Sequence, residues 1–219
     1  MLITIYITHE LSYDTFHLNA DRIFDTQGSF ILGGNKIQFP GLSYASGSIL
    51  KSNVPAIKQY VRIYKPDKDL VVQKSYNGND KFLEKEFLFT DPSFFHVFSF
   101  RVSNHNAIAS LNDPFSLIIS STKAKKYFGD SDPIGKTLNI KLGNKFYVFH
   151  IVATSEPSPS NSTIQFEFLA SIESLRSIES YKSTLVNGQT IGSGEFKTYF
   201  LLRQAQDSAM AQKAIRRIL

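Results

Sequence analysis

Ser116-Leu-Ile-Ile-Ser-Ser-Thr-Lys-Ala-Lys-Lys-Tyr-Phe-Gly-Asp-Ser-Asp-Pro-Ile-Gly-Lys-Thr137 carries the sharpest structural punctuation in the chain. Its first five residues, Ser116 to Ser120, have the apolar, β-branched content of a strand. Ser121 to Phe128 reads as a helix, closed by Gly129, which can take the backbone conformation of a C-cap. A loop, Gly129 to Gly135, follows, and Lys136 to Leu142 with Lys145 to Ala153 forms a hairpin about Gly143-Asn144. The loop superficially resembles a phosphate-cradling P-loop, because it ends in Gly135-Lys136-Thr137. It departs from one in four ways. Five residues separate its glycines where a P-loop has four; Asp130 and Asp132 repel phosphate; Pro133 removes a backbone donor; and the order helix, loop, strand inverts strand, loop, helix. No nucleotide site is expected there.

Upstream of this stretch, Arg22 to Gln27 and Ser29 to Leu32 are strand-like and lead through Gly33-Gly-Asn35 to Lys36-Ile-Gln-Phe39, a hairpin pattern. Pro40 suits a first helical turn, and Leu42, Ala45, Ile49 and Leu50 recur at helical spacing up to Asn53 and Pro55. Strands are expected at Ile57 to Tyr64, Leu70 to Tyr76 and Lys81 to Thr90. Asn77-Gly78 between the last two is the strongest hairpin signal of the chain. Asp91-Pro92 reads as an N-cap with proline at N1, opening a short aromatic helix over Ser93 to Phe98. Downstream, the polar stretch 155–162 is a connector. A strand Thr163 to Ala170, a short helix Ile172 to Ile178, a strand Glu195 to Arg203 and a helix from Asp207 complete the pattern, which ends in basic residues that suit a helix C-terminus. Phe94, Phe95, Phe98, Phe100, Tyr127 and Phe128 are the expected aromatic core.

Composition excludes several functions. The 219 residues are 42% hydrophobic and 20% charged, enough for a sizeable core, and no apolar run approaches the ~20 residues of a complete membrane span. Nineteen Phe and ten Tyr beside no Trp favour sheet. With no cysteine, thiol catalysis, disulfides and thiolate metal sites are ruled out. The net charge of +5 permits nucleic acid or anionic lipid, but the basic residues are scattered, and even the densest cluster, Lys123, Lys125 and Lys126, reads as a solvated face; no nucleic-acid partner is expected. His9, His17, His96, His105 and His150 lack the spacing of a helical zinc site. His9 and His17, with Glu10 and Asp14 near, are the one conceivable divalent-metal grouping, and an ordinary capping or solvated role is the simpler reading. No Gly-x-Ser-x-Gly elbow occurs. The sequence assigns no catalytic residue, no cofactor-binding residue and no metal ligand.

Four blocks of the chain resemble a known family. They are Glu10-Leu-Ser-Tyr-Asp-Thr-Phe-His17 with Asn19-Ala-Asp-Arg-Ile23; Val54-Pro-Ala-Ile57 with Val61-Arg62; Asp91-Pro-Ser-Phe-Phe-His-Val-Phe-Ser-Phe100; and Ser120 to Thr137. Together they are similar to the periplasmic core domain of MacB/FtsX-type ABC transporter permeases, in the version abundant in Bacteroidetes-like bacteria. Two departures stand out: His150-Ile151 replaces a usual Gly-Val step, and Val102-Ser-Asn-His-Asn106 replaces a glycine-containing turn.

The resemblance implies an α+β fold of two lobes. With bounds set by the composition change at Asp91-Pro92 and by the polar connector 155–162, a larger, porter-like α/β sandwich lobe would comprise 9–90 and 163–219, and a smaller mixed α+β lobe, 91–162, would be inserted into it, with no single sheet running through residues 60 to 150. Residues 1–8, apolar from Met1 to Ile7, would be the remnant of a first transmembrane helix. The implied function is that of a non-catalytic, extracytoplasmic (periplasmic) permease domain at the inner membrane, coupling cytoplasmic ATP hydrolysis to work outside the membrane. Implied partners are a cytoplasmic ABC ATPase, a second permease copy, and a periplasmic adaptor or a lipoprotein or peptide cargo; no cofactor is implied. The competing class is a secreted or envelope ligand-binding protein or hydrolase.

Overall fold

All five residues of Ser116–Ser120 are buried, because this strand has a neighbour on each side and side chains packed on both faces. The computed structural model describes residues 13–26, 28–32, 35–39, 41–74, 80–187 and 191–218. In chain order the elements are β1 (Ile23–Thr26), β2 (Gly28–Leu32), β3 (Asn35–Phe39), β4 (Gly41–Leu42), α1 (Ser46–Asn53), β5 (Ile57–Tyr64), β6 (Leu70–Gln73), β7 (Lys81–Glu84) and β8 (Phe87–Thr90). Then come α2 (Phe94–Val97), a 3-10 segment His105–Asn112, β9 (Ser116–Ser120), α3 (Ser121–Phe128), β10 (Thr137–Leu142) and β11 (Lys145–Ser155). The chain ends with β12 (Phe168–Ser171), a 3-10 segment Ile172–Ser177, α4 (Lys182–Asn187), β13 (Ser193–Gly194), β14 (Lys197–Leu202) and α5 (Ser208–Ile218).

Ten strands form one mixed sheet in the order β1-β14-β5-β8-β12-β9-β11-β10-β6-β7. The pairs β12–β8 and β11–β9 are parallel, and the other pairs are antiparallel. The α+β class is as expected. The expectation that no single sheet runs through residues 60 to 150 is corrected, since β5 to β11 belong to one sheet, which also joins β9 to β12 beyond residue 163. The physical reason is visible at β6: Val72, assigned to the larger lobe, pairs with Ile140 of the expected insert and shares one core cluster with it and Phe149. The composition change at Asp91-Pro92 marks a helix start within one sheet.

Alternate residues of the central strands serve opposite faces. Phe87, Phe89, Leu117, Ile119, Phe168 and Ala170 enter one cluster, while Leu88, Ile118 and Leu169 enter a second, roofed by α2 and the 105–112 segment. A third cluster joins α1 and α5 to Phe200 and Leu202 of β14.

Several element boundaries differ from the sequence reading. The helix expected from Pro40 begins only at Ser46, because Gly41 and Leu42 pair with β13 and the Leu42 N–H donates to Phe196 O at 2.9 Å. A Cβ at Gly41 would lie 2.3 Å from that carbonyl oxygen, so the contact needs glycine. The strand expected over 81–90 is two: β7 closes the sheet edge, and β8 lies near its centre. Between them Glu86 O accepts from Glu167 N and Phe168 N. β12 starts at Phe168 instead of Thr163, because Asp14 and Ser158 hold Thr163 and Phe166 through their backbone N–H groups. The hairpin read at 29–39 is β2 with β3; its Gly33-Gly34 turn, like Asn77-Gly78, lies outside the described residues. At the His150-Ile151 departure, β11 carries a register shift between Ile151 and Ala153. The 102–106 departure leads into the 105–112 segment, which the sequence reading left unassigned.

Candidate functional site

The P-loop-like segment is where nucleotide chemistry would have to lie, and its geometry is that of a structural turn. α3 precedes it and β10 follows. Ser120 caps α3 by accepting from Lys123 N at 3.1 Å. Gly129 at φ +61° ends the helix with its N–H on Lys125 O, and Gly135 at φ +77° donates to Ile151 O. Ser131, Ile134 and Lys136 donate their N–H groups to Phe128 O, the Asp132 carboxylate and Pro133 O. The amides that would cradle phosphate are therefore engaged within the protein. The Lys136 ammonium sits 5.2 Å from the Phe128 ring centroid. An open depression of about 300 Å³ lies beside the loop, lined among others by Lys125, Asp130, Asp132 and Thr154. Its paired aspartates oppose an anion.

The histidines are dispersed. His96, His105 and His150 are exposed on separate elements. His17 is 5% exposed, ringed by Phe16, Phe98 and Phe100 at 4.0, 5.1 and 5.2 Å between centroids. Ser99 N–H donates to its Nδ1 at 3.0 Å, and its Nε2 has no hydrogen-bond partner among the described residues. Burial lowers its pKa, outweighing the attraction of Asp14, whose Oδ1 is 3.9 Å away. The Asp14 carboxylate instead accepts from Ser162 Oγ at 3.3 Å, Thr163 N at 2.9 Å and Thr163 Oγ1. His9 and Glu10 lie outside the described residues. Among the described residues no group of three His, Asp or Glu could hold a metal ion.

Two buried charge clusters were not foreseen. Asp91, read as an N-cap, is instead the partner of Arg62: its carboxylate accepts from Arg62 N, Nε and Nη2 at 2.8, 3.0 and 2.6 Å. Arg62 also donates Nη1 to Tyr44 O, and its guanidinium lies 3.9 Å from the Tyr44 ring centroid. Burial alone would lower the Arg62 pKa, but the Asp91 pairing outweighs it and the pKa rises. Tyr44 carries the network on, donating to Glu173 at 2.8 Å. A lone arginine between Val61 and Ile63 was the available signal, since a charge in an apolar strand needs a partner.

Glu84 is the second centre. Lys123, Lys126 and the Tyr127 hydroxyl donate to it at 2.6, 2.7 and 2.8 Å. Burial raises its pKa, but these three donors more than reverse that, and the net shift is downward. Lys123 and Lys126, expected on a solvated face, thus fasten α3 to β7. Both carboxylates are saturated with donors, an arrangement that ties elements together and does not suit a general base.

The sequence profile described as MacB-like periplasmic core domain matches residues 1–218. No curated protein matches the chain significantly. Solved structures do. A domain of a permease-like protein from Porphyromonas gingivalis aligns with TM-score 0.67 at 20% identity, covering 93% of this chain and 84% of that one. The periplasmic region of MacB from Actinobacillus actinomycetemcomitans aligns with TM-score 0.56 at 16% identity, over 99% of this chain and 87% of that one. The extracellular domain of the noncanonic ABC-type transporter YknZ from Gram-positive bacteria aligns with TM-score 0.55 at 15% identity, over 81% of each chain. At these identities the structures establish a shared fold.

Proposed function

Because the chain belongs to the family of MacB-like periplasmic core domains, we propose that it is the extracytoplasmic part of an ABC transporter permease, transmitting work across the inner membrane without catalysing a reaction itself. The profile match over residues 1–218 carries this reading. The structure supports it through the sheet register. Ile23 at the start of β1 pairs with Leu201 near the end of β14, and Arg22 Nη1 donates to Arg203 O at 3.1 Å. The segment before β1 and the segment after β14 therefore leave the sheet at the same end, as a domain held between two membrane helices requires. The engaged amides of the Gly129–Gly135 loop and the saturated carboxylates of Asp91 and Glu84 suit binding and force transmission better than covalent chemistry.

In this reading the permease works as a dimer with a cytoplasmic ABC ATPase, and the domain meets an adaptor or a lipoprotein or peptide cargo. Affinity isolation of the full-length protein from detergent-solubilised membranes tests it. Co-purification of an ABC ATPase is expected, and recovery without any ATPase overturns the reading.

A further inference from the structure

The end of the sheet where β1 begins is also where β14 ends and β5 begins, since Ile23 pairs with Leu201 and Leu202 with Ile57. α5 is fastened there. Its Ala211, Ala214, Ile215 and Ile218 pack in the third core cluster with Ile57 and Leu202. Just before the helix, Arg203 donates its backbone N–H to Ala56 O and its Nε to Pro55 O, both at 2.9 Å. At 3.6 residues per turn Lys213, Arg216 and Arg217 fall on the opposite side of α5, and all three are exposed.

Charge gathers at this end. Residues 20–23, 54–58 and 202–218 frame it and hold six basic side chains, Arg22, Lys58, Arg203, Lys213, Arg216 and Arg217, against the two acidic ones of Asp21 and Asp207; the balance is +4 of the chain's net +5. Cations that are scattered along the sequence are thus brought together by the fold. α5 has no carboxylate from Ser208 to Ile218, and Lys213, Arg216 and Arg217 form no ion pair with any described residue. Arg216 and Arg217, in the last turn, complement the negative end of the helix dipole. That role does not extend to Lys213 a turn earlier, nor to Lys58 on β5. Met210, 61% exposed, is the one large exposed apolar side chain of α5.

We propose that the outer side of α5 rests on an anionic phospholipid surface, with Lys213, Arg216 and Arg217 against lipid phosphates and Met210 entering the headgroup layer. The presence of a bilayer at this end rests on the permease reading; the gathering of charge does not. Such a contact sets the tilt of the sheet on the membrane, because α5 is fastened to the ends of β5 and β14. A second copy of this chain is a poor occupant, since a two-fold contact would set these cations against their own equivalents. An acidic protein is also a poor one, because a stable interface needs apolar anchors and this side of α5 offers Met210 alone. Free phosphate lacks a pocket, the cations being spread over separate segments.

The test is co-sedimentation of the purified chain with phosphatidylglycerol vesicles, phosphatidylcholine vesicles serving as the neutral control. Binding to phosphatidylglycerol is expected, weakening as salt is raised. A cation beside an anionic surface contributes about fivefold in partition, so Lys213→Gln/Arg216→Gln/Arg217→Gln should bind about 100-fold less. Lys68→Gln/Lys81→Gln/Lys141→Gln removes the same charge from the region of β6, β7 and β10, at the other edge of the sheet, and should lose far less. The apolar Met1 to Ile7 is common to all variants, so the comparison reads the helix. Because the chain has no cysteine, Met210→Cys and Leu83→Cys each accept one environment-sensitive fluorophore; phosphatidylglycerol should shift the emission of the first to the blue and leave the second unchanged. The proposal is overturned if both lipids bind equally, if the two triple variants lose binding equally, or if the Met210→Cys probe does not shift. It is also overturned if polyglutamate binds and vesicles do not. None of these failures touches the permease reading, which stands or falls on co-purification of the ATPase.

Discussion

Truncating Phe94 to alanine tests the aromatic block directly. Phe94 is fully buried at the start of the single-turn helix α2, with the rings of Phe95, Phe98, Phe100 and Phe166 at 5.2, 5.1, 5.4 and 5.6 Å between centroids. A buried Phe→Ala change costs about 3–5 kcal/mol, from lost transfer energy and the cavity left behind. Ring pairs contribute about 0.5–1.5 kcal/mol beyond their buried area, so four neighbours place Phe94 toward the upper end of that range. For a chain of this size each kcal/mol lowers the melting temperature by about 2–4 °C, giving a fall of about 6–20 °C. Equilibrium urea unfolding followed by circular dichroism measures the loss. Phe95 on the same helix is only partly buried, and its alanine variant should lose about 1–2 kcal/mol. A loss below about 1 kcal/mol for Phe94→Ala would refute the packing argument and turn these rings into a partner-binding patch.

Other perturbations follow the same logic. Asp91→Ala leaves the Arg62 guanidinium buried and uncompensated, so chemical denaturation should report a loss of about 3–5 kcal/mol. Glu84 has a folded pKa below its unfolded value of 4.5, so its contribution is complete above that value and is lost as pH falls through the folded pKa. Glu84→Gln should lower stability at neutral pH and flatten the acid limb of the stability–pH curve. His17 has a folded pKa below 6.5, so the unfolded chain takes up a proton first and stability declines as pH drops from 6.5 toward the folded pKa. His17→Asn should remove that slope, and an unchanged slope would mean that another group titrates there. Gly41→Ala should cost at least about 1–3 kcal/mol in thermal or chemical melting, because its Cβ meets the Phe196 carbonyl.

Local signals of the sequence translated well where one residue type had one physical use. Gly129 as the stop of a helix and the β10–β11 hairpin about Gly143 both follow from turn and cap chemistry over a few neighbours. The errors came where a residue had two uses. Asp91 before a proline looks like an N-cap, but a buried arginine 29 positions away takes the carboxylate. Lys123 and Lys126 look solvated until Glu84, some 40 residues upstream, is folded beneath them. The continuity of the sheet was illegible for the same reason: composition changes at residue 91, but strand pairing is long-range, and Val72↔Ile140 leaves no local trace.

The central claim is that this domain lies outside the cytoplasmic membrane as part of a membrane protein. The chain has no cysteine, and Leu18 is 89% exposed, so Leu18→Cys in the full-length protein adds a thiol at a known exposed position. Spheroplasts of the source cell are treated with a membrane-impermeant maleimide, with the unsubstituted protein as control. The account predicts labelling of the variant above control before lysis, with the labelled protein in the membrane fraction. Labelling only after lysis, or a labelled protein in the soluble fraction, would contradict it.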